Sequence, residues 1–122
     1  MARALNLVGY NTFTFRDIEE FRDRKRVDDE EIIPWCGEHD AVWVHADDSA
    51  KREHKKLMEA HGTKTIWVYR PTGAMGSKDQ LRALTYSLPR ALDRLRKFQH
   101  VAIRVTGHQP LEHGYRVTQF DL

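Results

Sequence analysis

The chain has 122 residues, of which 40% are hydrophobic and 31% charged, with a formal charge of +2 and one cysteine. This length suits one domain, and no apolar run approaches the roughly 20 residues a membrane span needs. Lone Cys36 excludes an internal disulfide and fits a reducing interior, so a cytoplasmic protein with no membrane partner is expected.

The N-terminal stretch MARALNLVGY is too short and unflanked for a signal peptide. Within it, residues 2–9 space Leu5 and Val8 as on a helix face, and Gly9 supplies a stop. Residues 11–15, NTFTF, alternate polar with aromatic types and predict a short strand. Residues 16–27 are highly charged, with Phe21 almost the sole apolar anchor, and read as an exposed helix or a loop.

Residues 28–37, DDEEIIPWCG, predict a helix whose first turn is acidic, as the helix dipole favours. Pro34 limits its regularity. Residues 41–46, AVWVHA, predict a strand that runs into Asp47 and Asp48. Residues 49–61 predict a helix capped by Ser49 or Asp48, with Leu57 and Met58 facing inward and Gly62 ending it.

Residues 64–69, KTIWVY, are nearly all apolar, as expected of a strand covered on both faces. The loop at 71–77 leads through a Ser77–Gln80 capping box into a helix that reaches about Phe98. Leu81, Leu84, Leu88, Leu92 and Leu95 recur along it at helical spacing, and Pro89 is expected to kink or split it. Strands follow at 101–106 and 115–120. This alternation predicts a single three-layer α/β domain over residues 1–122. Its central sheet is expected to be mainly parallel, with an antiparallel addition at one edge near the C-terminus.

Ligands of open parallel sheets bind beyond the carboxyl ends of the strands. Asp47 and Asp48 occupy such an end, and Asp28, Asp29, Glu30 and Glu31 open the preceding helix. Clustered carboxylates raise one another's pKa, and a divalent cation relieves that conflict. Mg²⁺ and Mn²⁺ prefer such hard oxygen donors. Dipole-favoured acids and an N-cap account for the same residues without any metal, but only one of the adjacent aspartates is needed as a cap. His54 and His61 are two helical turns apart, which is long for one ion. No HExxH, P-loop, Rossmann or G-x-S-x-G pattern is present. Cys36 beside Trp35 reads as core rather than nucleophile.

The ordered pieces GYNTF (9–13), DEEII (29–33), VWVHAD (42–47) and GTKTIWVYRP (62–71), followed by the leucine-rich helix, resemble the PIN-like nuclease family. The resemblance is to its VapC-type toxin branch and runs from about Ala4 to Leu95. It implies a parallel-sheet, metal-dependent ribonuclease with Mg²⁺ or Mn²⁺ as cofactor. The family's acids map onto Asp29 and Asp47 as metal ligands, with Glu30 and Asp48 completing the catalytic set, and His45 stands where the family has Thr.

Lys51, Arg52, Arg70, Lys78 and Arg82 are expected to contact RNA phosphates. The implied partners are an RNA substrate, an antitoxin protein and a second copy of the chain. The family opens with a strand that ends in a further aspartate. Here the chain starts in the helix after that strand, so the first acid is expected upstream of Met1 or lost. The sheet is then expected to lack a central strand, unless a partner chain or the C-terminal strand fills the place.

Overall fold

The computed structural model describes residues 10–12, 14–47, 49–69, 77–105 and 115–121. The helix expected at 2–9 and the loop at 71–76 lie outside these. The strand expected at 11–15 is not formed. Residues 10–12 and 14 have no regular structure, and a 3-10 turn, Phe15–Asp17, follows. The turn wins because Asp17 reaches back to accept a hydrogen bond from the Thr14 N–H at 2.8 Å, while none of the described strands pairs with this segment.

The first helix, α1 (Asp29–Glu38), starts at Asp28, whose N–H donates to Glu31 Oε2 at 3.0 Å. Glu31 also pairs with Arg24. Ile32, Ile33 and Cys36 are its buried residues, and the helix continues through Pro34. A short turn then reverses the chain into β1 (Val42–His45), so the start of α1 lies toward the carboxyl end of β1.

The helix expected at 49–61 forms as two pieces, α2 (Ala50–Glu53) and α3 (Lys55–His61), broken at His54. Gly62 ends α3 at φ +62°, the left-handed conformation that favours glycine. Strand β2 (Lys64–Val68) is followed by α4 (Ser77–Arg94), which passes Pro89 as one continuous helix. Strands β3 (His100–Val105) and β4 (Tyr115–Gln119) complete the described chain.

The sheet order is β1-β2-β3-β4. The first two pairings are parallel and the last antiparallel, so a mostly parallel α/β sheet with an antiparallel strand at its C-terminal edge is formed. Each strand is bonded to the next, so the expected central gap is not seen among the described strands.

Strand alternation sorts the core into two clusters. Ile66, Val68, Val101, Ile103 and Val117 pack with Ala83, Leu84, Leu88, Ala91 and Leu95 of α4, and Val42 joins them. Trp43 faces the other way, toward Ile32, Ile33, Cys36, Ala50 and Met58. Each fully buried side chain such as Ile66 or Leu84 contributes about 1.5–3 kcal/mol through removal from water.

The helices α1 and α3 cross closely. A Cβ on Gly37 would stand 2.4 Å from the His61 carbonyl oxygen. Beside this contact, the buried Thr63 hydroxyl donates to the Ile33 carbonyl at 2.7 Å. The Gln99 amide donates to the carbonyls of Met58 and Thr63, at 3.0 and 2.9 Å, and ties the end of α3 to the start of β3.

The connection β1–α2–α3–β2 lies on the Trp43 face of the sheet, while β2–α4–β3 lies on the other. The described helices that follow β1 and β2 thus pack on opposite faces of the sheet, and the carboxyl ends of such strands are where open parallel sheets bind ligands.

Candidate functional site

Two acids from different elements lie toward the carboxyl end of β1. Asp29 stands in the first turn of α1, and Asp47 lies two residues beyond β1. They approach closely enough for the charge of Asp47 to raise the pKa of Asp29. Burial is the larger cause of the upward shift, and together the two outweigh the opposing influence of His54.

His54 Nε2 lies 3.3 Å from Asp29 Oδ2. The imidazole is 11% exposed, while the Asp29 side chain stays 37% exposed and open to solvent. Its position comes from the break between α2 and α3, where the chain turns at φ −117° and ψ 17°.

Asp47 is built differently. Its Oδ1 accepts from the Ser49 N–H at 2.9 Å and from the Ser49 hydroxyl at 2.7 Å. These bonds hold its carboxyl below the ordinary carboxylate range, the hydroxyl bond having the largest effect. Asp47, expected to serve only as a ligand, thus also forms the turn into α2. Ser49 occupies the cap position without a side-chain cap bond.

His45 Nδ1 accepts from the Asp47 N–H at 3.3 Å, and its ring stacks on Trp43 at 4.3 Å. That acceptance places the proton of the neutral ring on Nε2.

The other expected residues divide. Glu30 is exposed and contributes a small upward push to Asp29. Glu31 is occupied by the helix start and Arg24. Asp48, Arg70 and the side chain of Lys78 lie outside the described residues. Lys51 Nζ sits over the Trp67 ring at 5.3 Å, while Arg52 is exposed on α2. Arg82 is exposed on α4, which packs against the opposite face of the sheet. His61 lies at the Gly37 crossing, apart from His54. Cys36 is buried, and burial pushes its thiol up to about 11, which removes it as a nucleophile at neutral pH.

Sequence reasoning missed the role of His54 and the whole of Arg104. The guanidinium of Arg104 lies 4.7 Å from the Tyr69 ring and 5.8 Å from that of Trp67. The signal was present: Arg104 is the single charge in the run VAIRV. Strand alternation also placed it with Ala102, the register partner of Trp67.

Among the described residues, no three His, Cys, Asp or Glu side chains are gathered closely enough to hold a metal ion. No helix among them is long and apolar enough to cross a membrane. Comparisons with protein-family models, curated proteins and solved structures find no match.

Proposed function

We propose that the chain is a PIN-like, metal-dependent ribonuclease of the toxin type, with Asp29 and Asp47 as its metal-holding acids. The observation that supports this most is that Asp29, in the first turn of α1, and Asp47, just beyond β1, lie toward the same end of a mostly parallel sheet, near enough for the charge of one to bear on the other. Asp29 is held in a setting that disfavours its own charge, as functional acids often are.

Two hard oxygen donors from separate elements fit Mg²⁺ or Mn²⁺, and the adjacent imidazoles favour Mn²⁺ of the two. Such an ion would polarise a phosphoryl oxygen and lower the pKa of an attacking water. The residues do the rest. His54 fixes the Asp29 carboxylate, and Ser49 fixes that of Asp47. Lys51 supplies positive charge for a substrate phosphate. Glu30 and Asp48 are the acids adjacent to this pair in sequence, available to complete the ligand set or position water.

The toxin reading implies an antitoxin protein that covers these acids and a homodimer as the working form. The direct test is RNA cleavage with added Mg²⁺ or Mn²⁺. Wild type should cleave and Asp47→Asn should lose at least tenfold in rate. Equal cleavage by the two refutes the assignment.

A second reading is a catalytically inactive PIN-like module that binds a protein or nucleic acid. It is favoured by the Asp29–His54 contact, which already engages one acid, and by the Ser49 bonds, which already engage the other. On this reading the protein binds no Mn²⁺ through these acids.

A further inference from the structure

We propose that Arg104, Arg116 and Lys51 form a phosphate-binding strip for single-stranded RNA, with the Arg104 guanidinium on Tyr69 as its base-stacking platform. The inference rests on the ribonuclease reading and adds where the substrate lies and in which form.

The sheet register places these groups. Ile103 and Val117 face α4, so their neighbours Arg104 and Arg116 face the opposite side. Arg104 and Arg116 are direct partners across the antiparallel β3–β4 pair. Like charges in that position repel and weaken the pairing. Both are exposed, and among the described residues no carboxylate pairs with either of them or with Lys51. Three cations on one side of a chain of net charge +2, with no carboxylate partner among the described residues, concentrate positive potential there.

The aromatic residues decide the kind of anion. Trp67 is buried and forms the floor beneath Lys51 and Arg104. Tyr69 stands edge-on to Trp67 at 5.3 Å between ring centroids and is half-buried, with Arg104 above it. A guanidinium braced on a ring offers its other plane to an unpaired base, and only a single strand exposes the faces of its bases.

The strip is continuous with the acids. His45 of β1 is the register partner of Trp67, and Trp67 is that of Ala102, two residues before Arg104. Asp47 follows His45 by two residues. A strand crossing β4, β3 and β2 therefore arrives at Asp29 and Asp47 after a few strand spacings of about 4.8 Å each.

The test is fluorescence anisotropy with a labelled single-stranded RNA and the duplex of the same sequence, in excess chelator so that no cleavage occurs. The single strand should bind at least tenfold tighter than the duplex. Arg104→Ala and Arg116→Ala should each weaken binding about five- to tenfold and lower the salt dependence by about one phosphate contact. Tyr69→Ala should weaken it without changing that slope, and Arg82→Ala, on the other face, should leave it unchanged. Arg104, Arg116 and Tyr69 are each at least partly exposed, and circular dichroism confirms the fold of each variant.

Equal binding of duplex and single strand overturns the proposal, as does unchanged affinity in both arginine variants. An acidic protein partner would use the arginines but not the ring, so unchanged affinity in Tyr69→Ala also overturns it. Intact binding with no cleavage in metal refutes the ribonuclease reading alone, so the two failures are distinguishable.

Discussion

His54 Nε2 and Asp29 Oδ2 are 3.3 Å apart, which joins the first turn of α1 to the break between α2 and α3. The pair offsets the cost of placing Asp29 there only in part, because burial and the charge of Asp47 leave its carboxyl above the ordinary range. A folded-state pKa raised in this way favours folding below the unfolded pKa, and that advantage is lost as pH rises through the folded value. At neutral pH the ionised Asp29 therefore destabilises the domain.

Asp29→Asn should accordingly raise stability at about pH 7, and the gain should vanish in acid, where the wild-type carboxyl is protonated. The gain should be below about 1 kcal/mol, since more than a third of the side chain is exposed and solvent screens it. Urea unfolding at neutral and acidic pH measures it. A variant less stable than wild type at neutral pH contradicts the account.

Asp47 should behave in the opposite sense. Its folded pKa is depressed by the Ser49 bonds, so its contribution is present above the unfolded pKa and is lost as pH falls through the folded one. Asp47→Ala removes the acceptor for both bonds and should cost about 1 kcal/mol at neutral pH, as loss of a capping side chain does. Asp47→Asn keeps an acceptor oxygen and should cost less than half of that. Denaturant midpoints of the two variants test the ordering.

Gly37→Ala is expected to be the most damaging small change. The added methyl would lie 2.4 Å from a backbone carbonyl that cannot rotate away. Overpacking of this kind costs about 1–3 kcal/mol. Because α1 and α3 must separate to admit it, the His54–Asp29 contact should loosen as well. Thermal unfolding reads the first effect, and the histidine ring signals of His54 in proton NMR read the second.

Cys36 should resist alkylation in the folded protein. Its thiol lies up at about 11 and its side chain is buried, so the reactive thiolate is scarce at slightly alkaline pH. Iodoacetamide labelling followed by mass spectrometry should be slow in buffer and rapid in denaturant. Rapid labelling of the native protein would show the α1 packing to be looser than described.

The strands at 42–45, 64–68 and 100–105 were legible because each is a compact apolar run, and the residues between them have helical spacing. Gly62 was legible as a helix end because its left-handed conformation is one that glycine supplies at little cost. NTFTF misled because alternation marks a strand only where a neighbour can pair with it. Pro89 misled in a different way: the solvent side of α4 tolerates the lost hydrogen bond while Leu88 and Ala91 hold the buried side. Asp29 and Asp47 could be singled out from their places at element ends. Their unequal environments could not, since those depend on His54, placed by a helix break that residue spacing does not encode, and on the bonds that Ser49 makes in the turn before α2.

The central claim, that Asp29 and Asp47 together hold a divalent cation, is tested most directly by calorimetric titration of the purified protein with Mn²⁺ at neutral pH. The titration is run on wild type, Asp29→Asn and Asp47→Asn. Wild type should bind Mn²⁺ with one site, and each variant should lose at least tenfold in affinity while remaining folded. Absence of binding to wild type, or equal binding by all three proteins, contradicts the claim and leaves the acids as a capping and ion-pairing arrangement.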